Sequence, residues 1–114
     1  MSSIPSIAQS GLQVASLRLA VSANNVANAL TDGFAPSRVE AREVPAGGVE
    51  GSVVKPNDPQ FEAQVDRAIL GASGTDLIQE SVNQLVAATM FQANLATLKT
   101  ADETIGVLVD LRRP

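Results

Sequence analysis

The chain has no histidine, cysteine, tryptophan or tyrosine, and its aromatic side chains are Phe34, Phe61 and Phe91 alone. Without His or Cys there is no imidazole base, no thiol nucleophile, no disulfide and no zinc site of the usual ligand sets, so most enzyme classes lose the groups they depend on. Few large rings are available to organise a core, and alanine, valine and leucine must do so instead. Positive charge is also scarce. Eight Lys and Arg against twelve Asp and Glu leave a net charge of −4, and no basic patch offers phosphates a partner, which argues against nucleic acid. Ser, Gln and Asn interrupt both long apolar segments, so no run reaches the roughly 18 apolar residues of a membrane span, and no stable insertion is expected. Residues 1–7 carry no Lys or Arg ahead of an apolar run, so the sequence predicts no conventional secretory signal.

What the chain does contain is two long stretches of helical character. Residues 3–30 read as one helix, with Pro5 in the first turn, where a missing amide donor costs little, and Gly33 as the expected stop. Ile4, Ala8, Leu12, Ala15, Leu19, Ala23, Val26 and Leu30 follow one another at steps of 4, 4, 3, 4, 4, 3 and 4 residues. That is an eleven-residue repeat, for which a straight or slightly right-handed seam is expected. Ile7, Val14, Leu17 and Val21 lie off this track, so more than one side of the helix needs cover. Arg18 is the only charged side chain between Met1 and Thr31. A face of Ser, Gln and Asn hydrogen-bonds to neighbours without desolvating charge, which suits an interface better than open water.

Between the helices the pattern turns to Pro, Gly, charge and short β-favouring runs. Residues 37–44 and 49–54, separated by Pro45-Ala46-Gly47-Gly48, predict a small hairpin. Residues 55–59 read as a turn and 71–74 as a flexible junction, while 61–70 fit either a short helix or a strand. Asp76 opens the second helix with Gln79 three residues on, the spacing of a capping box, and the helix should run to about Leu111. Its apolar residues, among them Val82, Leu85, Phe91, Leu95, Leu98, Ile105 and Leu108, occupy more than half the circumference. Two helices, each roughly 40 Å long at about 1.5 Å per residue, cannot cover that much apolar surface between them. Further copies of the same surface are the expected supply, which points to an oligomer or filament layer.

Two motifs carry a family resemblance. Ser22-Ala23-Asn24-Asn25-Val26-Ala27-Asn28-Ala29-Leu30-Thr31-Asp32-Gly33-Phe34 resembles the N-terminal signature of bacterial flagellar rod and hook proteins, in which an Asn-rich helix end runs into Thr-Pro-Gly-Tyr. Asp32 stands where that family has proline and Phe34 where it has tyrosine. Asp76-Leu77, Glu80-Ser81-Val82-Asn83, Phe91-Gln92-Ala93-Asn94 and Lys99-Thr100-Ala101-Asp102-Glu103 together are similar to its C-terminal signature, with Thr89 and Phe91 in place of the usual arginine and tyrosine. The resemblance implies a short, proximal-rod-like member without the outer domains of the hook protein. It further implies terminal helices in the inner layer of a helical tube, delivery to the periplasm through the flagellar type III export channel, and other rod or hook subunits, together with copies of itself, as partners.

The expected fold is mainly α, with two long terminal helices forming an antiparallel or coiled-coil hairpin around a short β-hairpin-like insert. Residues 1–33, 34–74 and 75–114 divide it into N-terminal axial helix, insert and linker, and C-terminal axial helix within one domain. The residues expected to pack or assemble are Leu12, Leu19, Asn24, Asn25, Val26, Asn28, Gly33, Phe34, Val82, Phe91, Asn94, Leu98 and Ile105. No catalytic residue, metal, cofactor or small-molecule substrate is expected. Asp102 and Glu103 point about 100° apart on a helix, Asp58, Glu62 and Asp66 read as a solvated face, and Gly47-Gly48 lacks the lysine of a phosphate loop. A freestanding helical hairpin that dimerises or binds a partner helix is the rival reading. A membrane-surface helix is disfavoured by the lack of Lys and Arg beside the apolar faces.

Overall fold

The computed structural model describes residues 3–55 and 73–112. Their order is α1 (Ile4–Ala27), β1 (Arg38–Glu43), β2 (Val49–Val54) and α2 (Leu77–Arg112), two helices bracketing an antiparallel two-stranded sheet. Most of the expected turn at 55–59, the ambiguous segment 61–70 and the acidic set Asp58, Glu62 and Asp66 lie outside the described residues.

The caps explain where the helices begin and end. Ser3 caps α1 by accepting from the Ser6 amide, with Pro5 just inside. The helix stops at Ala27, short of the expected Leu30, because Asn28 turns its side chain back to donate to the Asn24 carbonyl at 2.9 Å, and tighter bonds from Ala29 to Val26 and from Thr31 to Asn28 follow. The stop is therefore Asn28 and not Gly33. Gly33 has the left-handed φ of 75° that an L side chain adopts reluctantly, and it shapes the turn in which the Phe34 amide donates to the Thr31 carbonyl. At α2, Asp76 Oδ1 accepts from the amides of Ile78 and Gln79 at 3.0 and 3.2 Å. The capping box is one-sided, since the Gln79 side chain, instead of reaching back to Asp76, donates from Nε2 to Asn83 Oδ1.

The β-hairpin pairs Arg38 with Val54 through to Glu43 with Val49. Its connection closes through Gly47 and Gly48, both at positive φ, with the Val44 amide donating to the Gly48 carbonyl. The hairpin lies along α1 and, among the described elements, packs on α1 alone. Near the turn, the Val49 amide donates to Ser10 Oγ at 3.1 Å; midway, Gly51 lets the strand approach Val14 and Leu17; at the base, Ser37 meets Asn25. Arg42 pairs across the strands with Glu50 at 3.1 Å in the open, a contact that contributes little.

α1 and α2 run antiparallel, because Ser22 meets Glu80 at one end and Gly11 meets Asn94 towards the other. The seam on α1 consists of Ala8, Gly11, Ala15, half-buried Arg18, Ser22 and Asn25, at alternating steps of three and four. On α2 it consists of Glu80, Ala87, half-buried Asn94 and half-buried Ala101, each seven residues from the next, with Gln84 and Leu98 between. Both are heptad spacings, the period of a left-handed pairing. The expected eleven-residue track is thus corrected: Ala8 and Ala15 from it are buried, but Leu19, Val26 and Leu30 are exposed. Residue size decides this outcome. The backbones approach most closely where side chains are smallest, and the larger apolar residues are turned outward.

Gly11 marks the tightest approach. A Cβ there would fall 2.4 Å from Asn94 Oδ1, and the Asn94 amide is already held by donating to the Met90 carbonyl. Gly11→Ala should therefore lower stability by about 1 kcal/mol despite the helix-propensity gain. Gly11→Ala combined with Asn94→Ala should recover it, as thermal unfolding followed by far-UV circular dichroism would show.

Candidate functional site

At the end of the seam where α1 finishes and α2 starts, a set of side-chain to backbone bonds fastens four segments together. Asn25, only 1% exposed, is the centre. Its Nδ2 donates to the Ser37 carbonyl at 2.7 Å and to Glu80 Oε1 at 3.0 Å, while its Oδ1 accepts from the Ser37 amide at 3.0 Å. One amide thus reproduces a two-bond strand pairing with the base of β1 and also grips the first turns of α2. Ser22 Oγ donates to the Glu80 carbonyl at 3.2 Å. Thr75 Oγ1 donates to the Asn25 carbonyl and Ser73 Oγ to the Asn28 carbonyl, each at 2.9 Å, and the Gly74 amide donates to the Phe34 carbonyl. The Thr75 hydroxyl thereby satisfies a carbonyl in the last turn of α1, and the Ser73 hydroxyl shares the Asn28 carbonyl with the Thr31 amide.

Glu80 is 6% exposed, and its second oxygen, Oε2, is buried without a hydrogen-bond partner, as is Arg18 Nε two turns further along α1. Buried polar atoms are normally satisfied, so both are local costs that the neighbouring bonds offset.

The opposite character appears on the outside. Among the described elements, α1 is flanked by α2 and the hairpin, while α2 is packed by α1 alone. Leu77, Ile78, Val82, Leu85, Val86, Leu95, Val107, Leu108, Val109 and Leu111 are all exposed large apolar side chains on it. Of the residues singled out from the sequence, Asn25 is the centre of the buried latch, Asn94 and Leu98 lie half-buried in the seam, and Leu12 is half-buried on α1. Asn24, Asn28, Gly33 and Phe34 build the turn after α1. Leu19, Val26, Val82, Phe91 and Ile105 are exposed. Ser22, Ser37, Thr75, Gly11 and Glu80 were not singled out. Glu80 and Ser22 had a readable signal, since the heptad Glu80, Ala87, Asn94 mirrors Ala8, Ala15, Ser22; Gly11, Ser37 and Thr75 had none.

Such a surface defines a class: a structural helical hairpin, held together by a seam of small and polar residues, with its bulky apolar side chains on the outside. The chain belongs to the flagellar basal body rod protein family, residues 6–34 matching the family model described as "Flagella basal body rod protein" and residues 68–111 that described as "Flagellar basal body rod FlgEFG protein C-terminal". No curated protein matches the chain significantly. The family's role is structural, in the flagellar basal body, and not enzymatic. No helix among the described residues is long and apolar enough to cross a membrane.

The latch makes a stability prediction. Asn25→Ala leaves the Ser37 amide and Glu80 Oε1 buried without partners, and should cost on the order of 3 kcal/mol. Glu80→Gln keeps the acceptor for Asn25 and should stay within about 1 kcal/mol of the parent. Urea unfolding of the two variants, measured side by side, checks the difference.

Proposed function

We propose that the chain is a proximal-rod-like subunit that assembles through α1 and α2 into the wall of a helical axial tube, with copies of itself and other rod or hook subunits as neighbours. The observation that carries this reading is the placement of large side chains on α2. A two-helix protein meant to stand alone turns leucine and isoleucine inward; here alanine, glycine, serine and asparagine occupy the seam, and many large apolar side chains of α2 are exposed, as on a surface meant for a protein partner. Packing against homologous helices covers that area, and many contacts, individually weak, sum to a stiff wall able to transmit torque. Sites for such packing include Leu19, Val26, Val82, Phe91 and Ile105.

In this reading the subunit works on the periplasmic side, reaches it through the flagellar type III export channel, and has no catalytic role. The absence of cysteine suits a chain that is threaded unfolded into an oxidising space.

Leu85, 69% exposed on α2, separates folding from assembly. Leu85→Asp should change the stability of the isolated chain by no more than about 0.5 kcal/mol and yet remove it from hook and basal-body particles. Quantitative mass spectrometry of purified particles is the readout. Stoichiometric recovery of the parent chain and loss of the variant support the proposal; absence of the parent chain makes the freestanding hairpin adaptor the better reading.

A further inference from the structure

The turn that follows α1 carries a reactive pair that occurs nowhere else in the chain. Asp32-Gly33 is the one place where an aspartate or asparagine precedes glycine. Glycine has no Cβ to hinder approach to its own amide nitrogen, so an aspartyl side chain reaches that nitrogen more easily before glycine than before any other residue. The local structure leaves the pair open. Asp32 and Gly33 are both exposed, and among the described residues neither the Asp32 carbonyl nor the Gly33 amide has a hydrogen-bond partner, although the Phe34 amide closes the turn around them by donating to the Thr31 carbonyl at 3.2 Å. Gly33, at a φ of 75°, tolerates either sign of that angle, so the peptide plane between the two residues can rotate without breaking a bond. Nor does Asp32 enter an ion pair among the described residues.

We propose that Asp32 is a site of spontaneous modification, its side chain closing on the Gly33 amide to a succinimide that opens to isoaspartate. In the first step the Gly33 nitrogen attacks Cγ of the carboxylic acid form; a C–N bond forms, and the acid hydroxyl leaves with the amide proton as water. Water then adds to either imide carbonyl. Opening at Cγ restores aspartate, while opening at the Asp32 main-chain carbonyl leaves the chain running through the side chain and frees the former main-chain carbonyl as an α-carboxylate. Water is the only co-reactant. Mass and net charge at neutral pH do not change, so the consequence is geometric. Isoaspartate adds one carbon to the main chain inside the turn that the Phe34 amide closes, and Phe34 in turn holds the entry to α2 by accepting from the Gly74 amide at 2.8 Å. Ageing at one exposed residue therefore loosens the edge of the latch without altering Asn25 or Glu80. A proline at this position, as in the signature that residues 22–34 resemble, has no carboxyl to react.

The test ages the purified full chain in neutral buffer and scores isoaspartate with a carboxyl methyltransferase specific for it and labelled S-adenosylmethionine, the label being located by peptide mass spectrometry. Label should accumulate on the peptide containing Asp32 roughly tenfold faster than on any other, because glycine sets the rate of closure. An aspartate-specific endoprotease should lose its cut before Asp32 in step with it. Asp32→Glu keeps the charge on an exposed side chain but must close a larger ring that forms more slowly, and it should abolish the label. Label that maps chiefly elsewhere, that persists in Asp32→Glu, or that appears in the urea-unfolded chain but not in the folded one overturns the proposal. Amide hydrogen exchange of the aged form, separated by chromatography, tests the consequence: Phe34 and Gly74 should exchange roughly fivefold faster or more than in the fresh chain, and unchanged exchange at both overturns the coupling to the latch.

Discussion

The arrangement depends on the buried amide of Asn25. A carboxylate or hydroxyl in its place could not donate and accept towards Ser37 at once while also donating to Glu80. Four segments that are distant in sequence, the end of α1, the base of β1, the junction at 73–76 and the first turns of α2, take their relative positions from it and from the Ser22, Ser73 and Thr75 hydroxyls around it. Hydrogen bonds specify direction in a way apolar contacts do not. A latch of this kind sets the register of the two helices where the fully buried apolar side chains, among the described residues Ala8, Val14, Ala15 and Ala87, are small and offer little resistance to sliding.

Register set at one end propagates along the seam because the backbones are close. Gly11 and Asn94 interlock two turns from the far end of α1, and heptad spacing keeps the same sides facing over the intervening length. The hairpin occupies a second side of α1, where Ser10, Gly48 and Gly51 allow backbone to approach backbone. α1 is therefore the buried member of the structure and α2 the exposed one, although their apolar content is similar.

Much of this was legible in the sequence. Both helices, the hairpin with its Gly47-Gly48 turn and the Asp76 cap follow from local rules whose causes lie within a few residues. Which face of each helix forms the seam did not. Reading large apolar residues as the seam selected the Leu12, Leu19, Val26 track, while the seam runs through Gly11, Ser22 and Asn25, residues that hydropathy counts as neutral or polar. The error has a physical origin, because hydrophobic periodicity reports every apolar face of a helix, whether or not the folded chain itself covers it, and here many of the large apolar residues stay exposed. The helix end was misread for a related reason: Asn28 can cap α1 by bonding back to Asn24, and that alternative was hidden in a run of asparagines also fit for interhelical bonding.

A seam of leucines would have made the hairpin more stable alone and a poorer building block. Burying each large side chain contributes about 1.5–3 kcal/mol, so a chain that spends its large residues on itself gains little by associating. This chain keeps them in reserve. Its internal contacts rest on alanine packing and on hydrogen bonds whose net contribution is modest, about 1 kcal/mol each, sufficient to choose a conformation and insufficient to make it strongly stable. In the proposed assembly, the larger hydrophobic gain comes from packing between copies or homologues. Under that proposal, ordering of the subunit and growth of the assembly are thermodynamically linked, with the polar latch holding the register of what adds.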